Sequence, residues 1–372
     1  DFWYLTGFNE PEAVLVLVPG RKQGECLLFC RERDSDKEAW DGPRLGPDGA
    51  VTALDMDDAY PIADLDDILP GLLEGRARVY YPYGRDADFD LKLMGWLKRV
   101  RAQKRLGAEP PHEFLELGHL LDELRLFKSA GEIALMRRAG AIVAEIHDLI
   151  QEAAVPGAST AELNAIAERC ITRHGAASNF KGYHGFPAFI CISLDSEVVH
   201  GIPGDREIKE GMLVSIDAGA IWDGWHADGA RSFVVGEGSP EAKRLVAVTR
   251  EALDAGIAAA RPGATIEEIS GAIEDVALRA GYGIVRPYVG HGIGRAMHEA
   301  PQVPNYRTGR KSLTLAEGHC LAIEPMLTFG SPEVGVMDDE WTVVTIDGSL
   351  AAHWEDSIAI VAGGSTILTR GS

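Results

Sequence analysis

Positive charge is scarce in this chain: 36 Lys and Arg stand against 57 Asp and Glu, a formal charge of −21. A protein whose main partner is nucleic acid or an anionic membrane surface needs clustered cations to contact phosphate, so neither partner is expected. Long apolar runs are missing too, and nothing approaches the ~20 residues that span a bilayer. No leader pattern is visible, although the chain opens at Asp1 rather than Met and its natural start is expected to lie upstream. Cysteine is sparse: Cys26, Cys30, Cys170, Cys191 and Cys320 are scattered, odd in number and without C-x-x-C pairs. That usage reads as reduced thiols in the cytoplasm. No phosphate loop occurs, and no G-x-S-x-G elbow marks a serine hydrolase. Gly290, Gly292 and Gly294 give G-x-G-x-G, which fails the dinucleotide pattern G-x-G-x-x-G.

What remains is ample core material, 46% hydrophobic, in 372 residues rich in glycine, which suits two domains of ordinary size. Residues 1–125 read as a small α/β domain. Apolar runs at 13–18, 26–30 and 79–81 suggest buried strands, 62–73 and 88–100 suggest helices, and the charged stretch 31–43 suggests a loop. This region has no dense His/Asp/Glu cluster, so its expected role is packing, association or walling off one side of a site. The second domain, 126–372, starts with a capping box, Ser129 and Glu132. A helical stripe of Ile133, Met136, Val143, Ile146 and Ile150 follows.

Five residues of this second domain stand out as metal donors embedded in apolar stretches: Asp217, Asp228, His291, Glu324 and Glu355. The aspartates flank a turn-like stretch between strands expected at Leu213–Ile216 and Arg231–Val235. Buried unpaired carboxylates are costly, and a divalent cation offsets their charge. Four carboxylates and one imidazole suffice to hold two such ions and activate a water. An internal repeat places them together. The segment 155–175, V-P-G-A-S-T-A-E-L-N-A-I, resembles 261–281, R-P-G-A-T-I-E-E-I-S-G-A-I, with Pro156 and Pro262 106 positions apart. Each copy follows a helical stretch, 133–150 and roughly 241–260, and precedes strands carrying two of the carboxylates. Two similar halves, each giving two acids, imply a pseudo-twofold site at their junction. A dinuclear metal centre is the expected cofactor, with Mn, Co, Fe or Zn all compatible with this donor set.

These residues resemble a known family, the pita-bread metalloaminopeptidases, over nearly all of 126–372. The supporting segments are G-Y-H184-G-F-P, V-V-H200-G-I-P-G-D, I-D217-A-G-A-I-W-D-G-W-H-A-D228, G-H291-G-I-G-R-A-M-H298-E-A-P-Q-V, A-I-E324-P-M and W341-T-V-V-T. Within the family the greatest similarity is to methionine aminopeptidases. The opening D-F-W-Y-L-T-G-F-N-E-P-E-A-V-L-V-L instead resembles the N-terminal domain of aminopeptidase P, the Xaa-Pro aminopeptidase. About forty residues normally precede that motif, so a truncated domain is expected, and the mixed resemblance suggests a fusion or chimera. The implied fold class is α+β: a pita-bread catalytic domain with a pseudo-twofold repeat, preceded by a small α/β domain.

By this resemblance Asp228 and Glu355 bridge two metals, Asp217 and Glu324 complete one side each, and His291 binds one ion. Glu324 is the implied general base. His298 donates to the scissile carbonyl oxygen, and His200 hydrogen-bonds the amide nitrogen. Tyr183, Phe186, Cys191, Met297 and Trp341 line the side-chain pocket, with His184 flanking it; sulfur and aromatic walls suit an unbranched thioether. Phe180 departs from the usual small residue. His226 and His353 are expected to turn away from the ligands. Aminopeptidase P usually has a histidine at the place of Pro287 and an arginine at that of His353, so the catalytic half reads as methionine aminopeptidase. The implied substrates are N-termini of peptides and nascent proteins. Release of a residue before proline is the alternative reaction, a non-catalytic pita-bread binding module the alternative class. Association of copies through the N-terminal domain is the oligomeric arrangement that the aminopeptidase P resemblance suggests.

Overall fold

The computed structural model describes residues 2–371; Asp1 and Ser372 lie outside the described residues. The chain divides into two compact units, Asp1–Leu124 and Arg125–Ser372. In the first, strand Val14–Leu17 runs antiparallel to Cys26–Cys30, which pairs in parallel with Asp58–Pro61. A second parallel pair joins Arg78–Tyr81 to Glu113–Glu116. Helices Leu65–Leu73 and Ala87–Ala102 bury Leu65, Leu69 and Leu73, and Leu93, Trp96, Leu97 and Val100, with Phe29. The three- and four-residue spacing of these positions is what aligns them on one helical face. The charged stretch 31–43 departs from expectation: it holds a helix, Ser35–Asp41, whose N-cap Asp34 accepts from the amides of Asp36 and Lys37. That helix buries none of its residues, so no apolar stripe announced it; its only signal was the cap and the acidic first turn.

The second unit opens with helix Ala130–Ala153, and the Ser129–Glu132 capping box forms in both directions. The repeat is visible in its details. Helix Thr160–His174 starts from a capping box of Ser159 and Glu162, and helix Ile266–Ala280 from one of Thr265 and Glu268. Both end on a left-handed glycine, Gly175 or Gly281, a conformation that costs glycine nothing because it has no Cβ. Each half has its own core. Ile142, Ile146, Leu163, Ile192, Val214 and Ile216 belong to the first, and Leu245, Leu253, Ile269, Ile273, Leu321 and Ile358 to the second.

The first half presents a long hairpin, Leu213–Trp222 against Trp225–Val234. Its strands run several residues beyond the expected ends, so Asp217 and Asp228 lie within the ladder rather than in a loop. The turn is only Asp223-Gly224, with φ of 49° and 74°, the Asp-Gly pair that suits a two-residue hairpin turn. The second half pairs Cys320–Ile323 with Asp356–Val361 and Met326–Thr328 with Ala351–His353. The two halves are stitched along a seam. Glu355 donates its amide to the Ala230 carbonyl at 2.9 Å and accepts the Ala230 amide at 3.2 Å. Ser357 Oγ accepts from the Asp228 amide at 2.9 Å and donates to its carbonyl at 2.8 Å. Ser232 Oγ likewise donates to the His353 carbonyl and accepts its amide.

Gly140, inside the first helix, faces the C-terminal strand so closely that an added Cβ would run into the Leu368 carbonyl. Helix propensity alone would make Gly140→Ala stabilising by about 1 kcal/mol. We expect the opposite, a loss of about 1–3 kcal/mol from overpacking, read by urea unfolding.

Candidate metal centre

Backbone register explains how the four carboxylates meet. Asp228 pairs with Gly219 and Asp217 with Ala230, so the two aspartates are diagonal neighbours on one face of the hairpin. Opposite Asp228, Gly219 has no side chain, and Asn179 fills that space and donates Nδ2 to the Ala227 carbonyl. In the second half Ile323 pairs with Asp356 and Met326 with His353, so Glu324 and Glu355 face one another between those pairs. His291 sits on Gly290–Gly292, paired with Ala322, one strand away from Glu324. Its Nδ1 lies 2.9 Å from the Gly292 carbonyl, while Nε2 lies 3.5 Å from Glu324 Oε1.

Asp217, Asp228, His291, Glu324 and Glu355 all line one cavity of about 180 Å³. Asp228, His291 and Glu355 are buried, and each offers a donor atom within 4.8 Å of the others'. Burial lifts the Asp217 carboxyl to about 7. Burial, reinforced by neighbouring acids, holds Asp228, Glu324 and Glu355 well above the usual carboxylate range. Burial also lowers His291 to about 4, so its contact with Glu324 is that of a neutral imidazole, the form that ligates metals. Asp217 Oδ1 and Glu355 Oε1 are buried without a hydrogen-bond partner. Orphaned acid oxygens in so crowded a group fit divalent cations, which supply the missing positive charge.

The same cavity has an apolar side. Phe180, Phe186, Cys191 and Met297 are buried together, with Trp341 packed against them. Phe186 meets Phe180 and Trp341 edge-on, with centroids 6.5 and 5.0 Å apart. Burial next to the acids pushes the Cys191 thiol well up, so it is a neutral wall. Tyr183, His200 and His298 also line the cavity, whereas His184 lies outside the lining, its ring edge-on to Tyr183. Tyr183 Oη is 2.8 Å from His298 Nδ1, and the His298 ring lies 4.3 Å from that of His291. His200 and His184 both adopt left-handed backbone, φ 61° and 47°, a conformation found at strained functional positions.

Sequence reasoning missed Tyr288 and Val289, which line the cavity; the Tyr288 ring is 5.5 Å from that of His200. It also misplaced His353. Residues two apart on an extended chain share a face, so His353 follows Glu355 inward. The buried His353 ring puts Nε2 3.8 Å from Glu324 Oε2, with no hydrogen-bond partner. Among the described residues one other group has metal-compatible spacing, Glu145, Cys170 and His174. There Glu145 already pairs with both Arg173 and His174, and Arg173 donates to the Cys170 sulfur. No acid oxygen in that group is left wanting a cation.

Comparison with known proteins finds separate matches for two parts of the chain. Residues 134–362 match metallopeptidase family M24, and residues 1–80 match the aminopeptidase P N-terminal domain. The chain is 47% identical over 244 residues to the methionine aminopeptidase of Clostridium perfringens, covering 66% of this chain and 98% of that protein. It is 49% identical over 251 residues to methionine aminopeptidase 1 of Mycobacterium tuberculosis, covering 66% and 94%. Among solved structures it is similar to Thermotoga maritima methionine aminopeptidase, with TM-score 0.65 and 39% identity, over 66% of this chain and 99% of that one. Pseudomonas aeruginosa aminopeptidase PepP aligns with TM-score 0.71 and 34% identity, over 99% and 84%.

Removal of divalent ions with a chelator, followed by Mn²⁺ at a hundredfold excess over its Kd, is expected to stabilise the protein by about 2.7 kcal/mol for each site filled. Glu355→Ala or Asp228→Ala should abolish that thermal shift, and elemental analysis should find the metal gone.

Proposed function

The chain belongs to metallopeptidase family M24, and we propose that its reaction is hydrolytic removal of N-terminal methionine from peptides and nascent proteins. It is a metalloaminopeptidase. The observation that carries the methionine reading is the pocket of Phe186, Cys191, Met297 and Trp341 built directly against the acid cluster. Aromatic and thiol walls pack well against a flexible, polarizable thioether. With ions held on the acidic side of the cavity, the α-amino group of a peptide would bind there as the neutral amine, which fixes the residue to be removed as the first one.

We assign Asp217, Asp228, His291, Glu324 and Glu355 to two divalent ions, Mn, Co, Fe or Zn. Once bound, such ions polarise the scissile carbonyl and let a water lose its proton near neutral pH. Glu324 takes that proton and returns it to the departing amine. The neighbouring His291 and His353 imidazoles flank its carboxyl on either side. His298 donates a hydrogen bond to the carbonyl oxygen as negative charge develops there. With Nδ1 engaged by Tyr183, its Nε2 is the atom free for that task. His200, which burial lowers to about 4, is a neutral imidazole that accepts from the scissile N–H. We place the reaction in the cytoplasm, in keeping with five unpaired cysteines; no helix among the described residues is long and apolar enough to cross a membrane.

Cleavage before proline is the second reading, favoured by the aminopeptidase P match over residues 1–80 and the whole-chain similarity to PepP. Hydrolysis of Met-Ala-Ser and Ala-Pro-Ala, each with several metals, separates the two. We expect kcat/KM to favour the methionyl peptide by about 10- to 200-fold, the worth of a well-filled apolar pocket. Preference for Ala-Pro-Ala would overturn the substrate assignment. His298→Ala should lower kcat by about 10²- to 10³-fold with metal content unchanged; full activity would remove its assigned role.

A further inference from the structure

A part-buried ion pair lies outside the cavity and has no part in the chemistry above. Lys128 Nζ is 2.8 Å from Glu299 Oε2, across 171 residues of sequence, with the lysine side chain 3% exposed and the glutamate 19%. The other glutamate oxygen, Oε1, accepts the amides of Arg295 and Ala296 at 2.7 and 3.0 Å. Glu299 thus binds the loop that follows His291 from the inside, and Lys128 holds Glu299. The fit is close at Gly294, where an added Cβ would come within 2.6 Å of Lys128 Cε and 2.8 Å of Glu299 Oε1. Lys128 is itself fixed, its amide donating to the Gly318 carbonyl at 2.8 Å just before the Ser129 cap.

That loop carries two residues the reaction needs, Met297 on the apolar wall and His298 over the scissile bond. We propose that Lys128, acting through Glu299, is a positioning residue for His298. The inference rests on the aminopeptidase reading, and it deepens it by naming what aims the histidine. A surface ion pair would contribute little, but here the ammonium is withdrawn from water. Losing the ammonium leaves the glutamate charge without its partner, and the carboxylate must then turn toward water. It would release the Arg295 and Ala296 amides as it turns. The loop then relaxes, and a shift of about 1 Å in a reacting group is enough to cost about a hundredfold in rate. Tyr183 contacts the His298 side chain at Nδ1 and does not replace this backbone anchor.

The test is a double-mutant cycle on hydrolysis of Met-Ala-Ser, with metal content measured for every variant. Lys128→Met should lower kcat by about tenfold or more while KM changes little and metal content stays at the wild-type level. In a His298→Ala background the same substitution should change kcat by less than about twofold, because the residue it acts through is gone. Lys128→Arg, which keeps the charge, should recover part of the activity. Should Lys128→Met fail to fold, Glu299→Gln, which removes the carboxylate charge at near-constant shape, takes its place in the cycle. Equal losses with and without His298 would show a general structural effect and overturn the proposal, as would full activity of the folded variant. A wild-type protein inactive on methionyl peptides would instead sink the activity reading on which it rests.

Discussion

Four carboxyl groups crowded at the seam between two backbone ladders set the terms for the rest of the catalytic unit. Each is taken out of water, and at Asp228, Glu324 and Glu355 neighbouring acids add to the preference for a proton, so the group is stable as an anion only if cations join it. A fold that keeps such a cluster must hold it by means other than the carboxylates' own hydrogen bonds. It does so through main-chain pairing. The Ala230–Glu355 amide exchange and the Ser357 hydroxyl on Asp228 lock one ladder to the other at the acids themselves. Arg231 adds a buried brace, donating to the Glu355 carbonyl and pairing with Asp356 at 2.6 Å.

The duplicated architecture follows from that requirement. Each half has a capped helix pair, a separate core and a pair of strands contributing two acids, and neither half alone completes the site. The apolar wall is placed by the same logic, since Cys191 pairs in register with Asp217 on the neighbouring strand and Met297 lies one residue before His298. The apolar wall and the acid cluster therefore share one framework. The first unit contributes its own α/β core, and its match to the aminopeptidase P N-terminal domain contrasts with the methionine aminopeptidase similarity of the second. The pairing is what a chimera of two related enzymes would produce.

Much of this was legible in the residues. Acid and histidine side chains inside apolar segments have few bland explanations, and the repeat at 155–175 and 261–281 carried its caps and terminal glycines openly. What escaped notice depended on pairing that a linear reading does not contain. The extent of the hairpin turned on the two-residue Asp223-Gly224 turn, so both aspartates moved from a supposed loop into strands. His353 was set aside although its two-residue offset from Glu355 places it on the same face. Tyr288 and the Lys128–Glu299 pair emerge only when segments far apart in sequence are brought together. The helix Ser35–Asp41 shows the opposite limit, a local element with no buried face to reveal it.

Everything in the catalytic unit turns on whether the seam acids and one imidazole share divalent ions. Anomalous diffraction from crystals of the intact protein grown with Mn²⁺ tests it most directly. The account predicts anomalous density enclosed by Asp217, Asp228, His291, Glu324 and Glu355. A protein that binds Mn²⁺ with no density there, or with its ion at Glu145, Cys170 and His174 instead, would contradict it.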